Sequence, residues 1–435
     1  MEQSIYSSRR SELMNQIGNS VAIITSGLEK TRNNDVNYIF RQDSNFWYST
    51  GFEEPNSVAI LAPNTDKPYT LFVPPYDENY ETWVGKRAGI EGAISEYMAD
   101  QAFSIEEFEK HLPDLLSGSS TLYFTADSDN DIYPIISKII SSQRRNHSRG
   151  GIFINSIKDL SIITANMRQI KTDPEIKQIK KAIEITHKGF IEAFANTLPG
   201  KHEYQIQSNL ESQFRELGSP RNGYPSIVAG GLNSCTLHYI KNDQPLAHGD
   251  LLLIDAGAEF DYYTADITRT WPVNGKYSKE QLEVYTVVLE AQQAAIKLIK
   301  PGVTFEEVHQ ASLKILVQGL KDFGVLNESV DTIIDDKLYA PYYMHATSHW
   351  LGLDVHDAGI YRDSEGSIQL QPGMVLTVEP GLYFGKLAPN VPAKFQGIGI
   401  RIEDNILVTD TGFDNLSQAI PSDPAELEKL IGTLS

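Results

Sequence analysis

The chain has 435 residues, with 57 acidic and 37 basic side chains, so its formal charge at pH 7 is −20. This charge disfavours binding to nucleic acid and to anionic membranes. The single cysteine, Cys235, excludes an intrachain disulfide and a cysteine-rich zinc module. The N-terminal residues lack the apolar core of a secretory signal, and no apolar run approaches the ~20 residues that span a bilayer. Together these features predict a soluble, cytoplasmic protein.

Short apolar runs alternate with helical patterns in the first part of the chain. The runs are VAIITSG, SVAILAP, YTLFVPP, STLYFTA and GIFIN, and patterns such as SRRSELMNQI and SIEEFEKHLPDLL lie between them. Runs rich in β-branched and aromatic residues and bounded by Gly, Pro or Asn are typical of strands. The pattern predicts an α/β domain over residues 1–165.

A strong helix start follows at Thr172-Asp173-Pro174, where a capping residue precedes a proline in the first turn. We therefore predict a second domain over residues 172–435.

An internal repeat organises this second domain. Each copy begins with a long helical pattern that ends at a Pro-Gly pair, and each continues with a second helical pattern and a histidine-containing segment. AHGDLLLIDAG in the first copy then matches QPGMVLTVEPG in the second. Two copies are too few for a solenoid, so the repeat predicts a pseudo-twofold domain in which each half packs against the other.

The repeat places acidic residues at matching positions. Asp255 directly follows the apolar strand pattern LLLI and Glu379 directly follows the strand pattern VLTV, and Asp266 and Glu403 are expected in the strands that come next. A buried carboxylate is costly unless it is paired or bound to a cation. Four carboxylates with at least one imidazole would balance two divalent ions. Oxygen-rich ligation favours Mn²⁺, with Co²⁺, Fe²⁺ or Zn²⁺ as other candidates.

Two such ions about 3.5–4 Å apart that share a bridging water form a hydrolytic centre. The residues alone do not decide which histidine would be the ligand, because MHATSHWLGLDVHD contains His345, His349 and His356.

Five segments in a fixed order resemble a known family. They are LLLIDAGAEF, YYTADITRTWPVNG, SHWLGLDVHD, LTVEPGLY and GIGIRIEDNILV. With them the chain resembles the aminopeptidase P and prolidase branch of the pita-bread metallopeptidases, family M24. The resemblance implies an α/β (α+β) architecture, with an N-terminal α/β domain followed by a pseudo-twofold pita-bread catalytic domain. It also implies a ligand set of two Asp, one His and two Glu, which correspond here to Asp255, Asp266, His349, Glu379 and Glu403.

The resemblance gives further residues roles in the site. His356 and His238 correspond to residues that contact the substrate and stabilise the reacting carbonyl, and Glu379 would also move the proton of the attacking water. Arg401 would orient a metal-bound carboxylate and contribute to substrate binding. Tyr224 and His345 would line the substrate pocket.

The N-terminal segments FRQDSNFWYSTGFEEPNSVAIL and YETWVGKRAGIEGA resemble the N-terminal domain of aminopeptidase P. Within them, Trp83 matches an aromatic residue that reaches the active site of a neighbouring subunit. This implies a homodimer or homotetramer. The alternative is that Trp83 is buried within its own domain.

The resulting functional prediction is a metallo-exopeptidase, an Xaa-Pro aminopeptidase that acts on peptides with proline at position two. A hydroxide that bridges two metal ions would attack the Xaa-Pro carbonyl. An Xaa-Pro dipeptidase would use the same centre but would require a free carboxylate directly after the proline. A non-catalytic peptide- or protein-binding relative is a third interpretation, although such relatives usually lack ligands that this chain retains.

Overall fold

The computed structural model describes residues 1–126, 132–146 and 150–433. The chain divides into two compact units, Met1–Met167 and Arg168–Ser435. Within the described ranges, no helix combines the length and the apolar character needed to cross a membrane.

The first unit is a mixture of helices and strands. In chain order its described elements are α1 Gln3–Ile17, β1 Val21–Thr25, β2 Thr31–Asn33, β3 Val36–Asn37, α2 Ser44–Thr50, β4 Val58–Leu61, β5 Tyr69–Val73, α3 Glu78–Val84, α4 Gly89–Ser95, β6 Gln101–Ser104, α5 Phe108–Leu115, β7 Thr121–Phe124, α6 Ile132–Asn146, β8 Ser156–Lys158 and α7 Ser161–Gln169, which contains the boundary between the units.

Six of these strands form one mixed sheet in the order β6-β5-β4-β1-β7-β8. Strand β4 runs antiparallel to β1 and β5, whereas β7 runs parallel to β1 and β8. Along β1, Val21 and Ile23 enter one hydrophobic core, and Ala22 and Ile24 enter a second one. Successive side chains point to opposite faces of a sheet, so both faces are covered and the strand is apolar throughout.

One of the predicted strands is wrong. GIFIN, residues 151–155, forms no strand, and pairing begins only at Ser156 in β8. Gly150 and Gly151 have φ angles of 116° and 136°, a conformation that does not continue a regular strand. Ile154 is fully buried in the core. The apolar run therefore reflects burial of a side chain and not participation in the sheet.

The first complete helix of the second unit begins at the predicted helix start, and the unit contains two sets of similar elements. In chain order they are α8 Asp173–Asn196, α9 Glu203–Glu216, β9 Arg221–Asn222, β10 Ile227–Gly230, β11 Leu251–Ala256, β12 Ala258–Phe260, β13 Tyr263–Thr264, β14 Ile267–Pro272, α10 Lys279–Leu298, α11 Phe305–Asp322, α12 Val330–Asp335, β15 Arg362–Asp363, β16 Gly366–Ser367, β17 Val375–Val378, β18 Gly381–Tyr383, β19 Gly399–Arg401, β20 Asp404–Val408, β21 Phe413–Asn415 and α13 Pro424–Leu430.

The two halves of this unit repeat one another in their contacts as well as in their order. Helix α8 packs on α9, and α10 packs on α11. After each pair of helices come the three-stranded sheets β10-β11-β14 and β17-β20-β21. The N–H of Gly200 donates to the carbonyl of Leu246 at 2.8 Å, and the N–H of Gly302 donates to the carbonyl of Leu370 at 2.9 Å. The predicted fold class, an α/β domain followed by a pseudo-twofold domain, is confirmed.

Candidate metal centre

The strand pairing of each half brings two acidic residues together. Strands β11 and β14 are antiparallel, with Asp255 opposite Thr268, and Asp266 directly precedes β14. Strands β17 and β20 pair in the same way, so that Glu379 follows one strand and Glu403 precedes the other. Asp266 and Glu403 were expected inside these strands, but each lies one residue before its strand begins. An antiparallel ladder places the end of one strand beside the start of the next, which explains the pairing of the acids.

His349 is held against β17 by its backbone. Its carbonyl accepts the N–H of Thr377 at 2.9 Å, and its N–H donates to the hydroxyl of Thr377 at 3.1 Å. Ring atom Nδ1 lies 2.9 Å from the carbonyl of Trp350. A carbonyl can only accept, so Nδ1 carries the proton. Atom Nε2 then faces the acids, 3.2 Å from Oδ2 of Asp266 and 3.3 Å from Oε1 of Glu379. This orientation suits a metal-ligating histidine.

The charges of this cluster fit a bound cation. Ligand atoms of Asp266, His349 and Glu403 lie within 4.8 Å of one another. Atom Oε1 of Glu403 is buried and has no hydrogen-bond partner among the described residues. Burial raises the pKa of Glu379 to about 8, and burial together with neighbouring carboxylates raises the pKa values of Asp266 and Glu403. Buried carboxylates that repel one another and leave an oxygen unpaired fit a site for cations.

Tyr224 connects the two aspartates. Its hydroxyl lies 2.5 Å from Oδ1 of Asp255 and 2.5 Å from Oδ1 of Asp266. Burial and the charge of Asp255 raise the pKa of Tyr224 well above its ordinary value, so the hydroxyl keeps its proton. A hydroxyl has one proton, so Tyr224 can donate to only one of the two carboxylate oxygens at a time. The role predicted for Tyr224 in substrate binding would therefore involve its ring, since its hydroxyl is occupied.

Arg401 makes three contacts around Asp255. Its Nη2 donates to Oδ2 of Asp255 at 2.6 Å, its Nε to the hydroxyl of Thr268 at 3.1 Å, and its Nη1 to the hydroxyl of Tyr383 at 3.1 Å. Burial alone would lower the pKa of Arg401, but Tyr383 and Asp255 raise it well above its usual value. The guanidinium therefore stays charged and orients Asp255, while its contribution to substrate binding stays a prediction.

These acids open into a cavity of about 780 Å³. Ten of the eleven predicted site residues line it: Tyr224, His238, Asp255, Asp266, His345, His349, His356, Glu379, Arg401 and Glu403. Apolar residues complete the wall, including Pro225, Leu237, Ile240 and Tyr361. The eleventh residue, Trp83, belongs to the first unit. Its side chain in α3 is 86% exposed, so the alternative that it is buried in its own domain is wrong.

The histidines of the cavity differ in environment. His345 lies between the carbonyl of Ala346 and the hydroxyl of Tyr383, each 2.8 Å from a ring nitrogen. Burial and the charge of Arg401 lower the pKa of His345 to about 3, so this ring is neutral. The ring of His356 lies 4.4 Å from that of His349, edge to face. Burial and the charge of His349 lower the pKa of His356 as well.

A buried ion-pair network lies behind His356, and no sequence motif predicts it. Asp357 accepts from Arg168 Nη2 at 2.5 Å and lies 3.0 Å from Lys171 Nζ. All three side chains are buried. Burial alone would raise the pKa of Asp357, but the cations of Lys171 and Arg168 lower it. The residue next to His356 is thereby fixed in place.

Other residues that the sequence analysis missed surround the acids: Thr268, Thr377, Tyr383 and Asn405. Three of them lie two residues from an acid along or beside a strand, so they share its face of the sheet. That spacing is the signal that could have identified them.

Comparison with known proteins agrees with this geometry. The model of metallopeptidase family M24 matches residues 177–410, and the model of the aminopeptidase P N-terminal domain matches residues 6–123. The chain is 42% identical to an Xaa-Pro aminopeptidase of Haemophilus influenzae, over 98% of this chain and 96% of that protein. It is 39% identical to an Xaa-Pro aminopeptidase of Escherichia coli, over 97% and 96% of the two chains.

Solved structures give the same result. Aminopeptidase PepP of Pseudomonas aeruginosa superposes with a TM-score of 0.96 at 40% identity, covering 100% of this chain and 99% of that one. Zinc-substituted Escherichia coli aminopeptidase P in complex with product superposes with a TM-score of 0.95 at 37% identity, covering 100% and 99%.

Proposed function

The chain belongs to metallopeptidase family M24, as its sequence motifs predicted, and from this premise we propose that it is an Xaa-Pro aminopeptidase. It would remove the N-terminal residue from peptides with proline at position two. The observation that carries this proposal is the convergence of Asp255, Asp266, His349, Glu379 and Glu403 on one cavity, with an oxygen of Glu403 buried and unpaired among the described residues. The relatives named Xaa-Pro aminopeptidase match it over almost their whole length.

We propose that these five residues hold two divalent ions. Four carboxylates and one imidazole favour a borderline or hard ion, most of all Mn²⁺, and Co²⁺, Fe²⁺ or Zn²⁺ could replace it. When bound, the ions polarise the scissile carbonyl and lower the pKa of a water.

Glu379 would transfer the proton of that water. Its Oε1 lies 3.4 Å from the hydroxyl of Thr377. Its Oε2 lies 3.9 Å from His345 Nδ1, which is too far for a hydrogen bond. We propose that Oε2 accepts the proton and delivers it to the prolyl nitrogen as the peptide bond breaks. A carboxylate with one fixed and one open oxygen is suited to this role.

His356 and His238 would act on the peptide itself. His356 is exposed beside His349 and would donate an N–H to the reacting carbonyl oxygen, where negative charge develops in the transition state. The proline ring would pack on the apolar wall near His238, Leu237 and Ile240. The Xaa-Pro bond is a tertiary amide without an N–H, so shape and apolar contact must replace the hydrogen bond that other peptide bonds offer.

Cleavage of matched peptides tests the function. We expect hydrolysis of Xaa-Pro-Yaa peptides in the presence of Mn²⁺, with release of Xaa, and little hydrolysis of the same peptides with alanine at position two. Preference for the dipeptide Xaa-Pro by orders of magnitude would instead identify a dipeptidase. If the protein bound Xaa-Pro-Yaa but did not cleave it with Mn²⁺, Co²⁺, Fe²⁺ or Zn²⁺, it would be a non-catalytic relative.

We also propose that residues 1–165 and 172–435 form separate domains and that the chain assembles as a homodimer or homotetramer. The exposure of Trp83 supports a contact outside its own unit. If Trp83 reaches the site of a neighbouring subunit, then Trp83→Ala and Asp266→Ala subunits should each be inactive alone and regain part of the activity when they are mixed. An unchanged activity of Trp83→Ala, with a monomeric mass by light scattering, would refute this assignment.

A further inference from the structure

The loop that carries His238 is attached to one buried carboxylate. This segment, residues 230–244, is named the His238 loop below. Glu203, the first residue of α9, is fully buried. Four groups of the loop donate hydrogen bonds of 2.8 or 2.9 Å to its carboxylate: the N–H of Gly230 and Nδ2 of Asn233 to Oε1, and the hydroxyl of Tyr239 and the N–H of Gln244 to Oε2. One side chain thus joins the start, the middle and the end of the loop.

The burial of Glu203 and the order of the loop depend on each other. A carboxylate removed from water costs several kcal/mol unless hydrogen bonds replace its hydration. Bonds to a charged acceptor are about twice as strong as those between neutral groups. All four donors come from the loop, so the loop cannot rearrange without leaving a buried charge unsatisfied.

The contact at Tyr239 transmits this order to His238. The ring of Tyr239 packs on Ile227, Ala229 and Leu253 of the sheet, and its hydroxyl reaches Glu203. His238, the neighbouring residue, is exposed and lines the cavity. Because Tyr239 is fixed against the sheet, it determines where the neighbouring residue, His238, lies in the cavity.

The second half of the repeat has an apolar counterpart. Phe305 is the first residue of α11, as Glu203 is of α9, and both make equivalent backbone hydrogen bonds after the Pro-Gly pair. The ring of Phe305 lies 4.8 Å from that of Trp350 and 5.0 Å from that of Tyr361, on either side of His356 in sequence. Each half thus uses the same helix position to hold the segment that carries its histidine.

We propose that Glu203 is a positioning residue that fixes His238 at the cavity and thereby sets the rate of Xaa-Pro cleavage. This inference rests on the proposed function and adds to it a residue that lies outside the cavity.

A double-mutant cycle tests the coupling. Glu203→Gln keeps the shape of the side chain but turns an NH₂ group toward donors. We expect kcat/KM for an Xaa-Pro-Yaa peptide to fall about 10- to 100-fold, as for a misplaced group in an active site, with metal content unchanged. In a His238→Ala background the same substitution should change kcat/KM less than about twofold. An equal loss in both backgrounds would show that Glu203 does not act through His238 and would overturn the inference.

Tyr239→Phe provides a milder variant, because it removes one hydrogen bond to Glu203 and keeps the ring. It should also lower kcat/KM, and it replaces Glu203→Gln in the double-mutant cycle if Glu203→Gln does not fold. Glu175→Gln is the matched control: Glu175 is buried near the start of α8 and accepts the Tyr263 hydroxyl and the Thr172 N–H, both at 2.9 Å. It should lower the melting temperature and leave kcat/KM unchanged.

Hydrogen exchange separates this inference from the proposed function. Amide exchange in residues 230–244 should be faster in Glu203→Gln than in the unmodified chain and should not change in Glu175→Gln. Unchanged exchange in Glu203→Gln would overturn the positioning role whatever the enzyme cleaves. Absence of Xaa-Pro-Yaa cleavage by the unmodified chain, with the exchange result as expected, would overturn the proposed function and leave the attachment of the loop standing.

Discussion

Thr268 and Glu403 are hydrogen-bonded to each other across the two halves of the repeat. The N–H of Glu403 donates to the carbonyl of Thr268 at 3.0 Å, and the hydroxyl of Thr268 donates to Oε2 of Glu403 at 2.6 Å. Asn405 and Asp266 form the reciprocal contact, in which the N–H of Asp266 donates to Oδ1 of Asn405 at 3.1 Å and Nδ2 of Asn405 donates to the Asp266 carbonyl. In each half, a polar residue two positions after an acid holds the acid of the other half.

This arrangement predicts the effect of Thr268→Val, which removes the hydroxyl and keeps the size of the side chain. Oε2 of Glu403 then loses its donor while Oε1 is already without one among the described residues. We expect metal affinity and kcat/KM to fall by about 10- to 100-fold, as is typical when a partner of a metal ligand is removed. Titration with Mn²⁺ by calorimetry and peptide kinetics would measure the two effects.

Thr268→Ser keeps the hydroxyl and serves as the control. It should restore most of the metal affinity, although it lacks a methyl group in the core. If Thr268→Ser and Thr268→Val lose metal affinity equally, packing and not the hydrogen bond to Glu403 is responsible.

Asp266→Ala should abolish activity by removing an ion. Asp266 belongs to the cluster with His349 and Glu403, and its Oδ1 lies 2.5 Å from the Tyr224 hydroxyl. Loss of a ligand removes several kcal/mol of transition-state stabilisation, so we expect kcat to fall at least about 1,000-fold. Elemental analysis should show fewer ions per chain than in the unmodified protein, with an unchanged circular dichroism spectrum. Full metal content with normal turnover would exclude Asp266 as a ligand.

The repeat made much of this site predictable from the sequence. An acid directly after an apolar strand in both halves, as at Asp255 and Glu379, is a local pattern with a clear physical cost. Local patterns also predicted the paired helices of each half and four of the five apolar runs expected to be strands in the first unit. The choice of His349 among three nearby histidines did not, because it depended on family resemblance. In the structure the Trp350 carbonyl engages Nδ1 of His349 and Nε2 faces the acids, an orientation that suits a ligand, while the ligand role itself stays a prediction.

Contacts between distant parts of the chain were not predictable in this way. Arg168 and Asp357 are 189 residues apart in sequence, and neither lies in a motif that predicts contact with the other. Glu203 looked like an ordinary residue of the first turn of a helix, where acidic residues are common. Its burial arises because a loop 27 to 41 residues later folds over it, which no local pattern contains.

The buried network around Asp357 predicts a large loss of stability for Asp357→Asn. The substitution removes a charge that lies 2.5 Å from Arg168 and 3.0 Å from Lys171, and both cations would remain buried. Breaking one partner of a buried ion pair costs about 3–5 kcal/mol. Urea unfolding should show this loss, together with reduced activity, because His356 adjoins the network.

Asp414→Asn is a suitable comparison for that variant. Asp414 pairs with Lys180 at 3.1 Å, but the side chains of Lys180 and Asp414 are 49% and 41% exposed. Exposed ion pairs contribute about 0–1 kcal/mol, so we expect a small change or none. Similar losses for the two variants would mean that the Asp357 network contributes no more than a surface pair.

The charges of the centre predict that the stabilisation by metal increases with pH. In the metal-free chain, burial raises the pKa of Glu379 from 4.5 to about 8. For His349, burial is outweighed by Asp266 and Glu379, which raise its pKa from 6.5 to about 9. Both groups bind protons more tightly in the folded chain than in the unfolded chain. The stability that protonation gives is therefore complete at low pH and is lost as pH rises through about 8 and about 9.

Metal has the opposite dependence, because ligands must be deprotonated to bind it. The increase in melting temperature caused by Mn²⁺, relative to chelated protein, should therefore grow between about pH 6 and about pH 9. Differential scanning fluorimetry at several pH values, with and without chelator, measures this difference. In Asp266→Ala the pH dependence should be weaker, because one of the two acids that raise the pKa of His349 is gone and an ion is lost. An increase that stayed constant or shrank with rising pH would show that the protons of Glu379 and His349 do not compete with the metal.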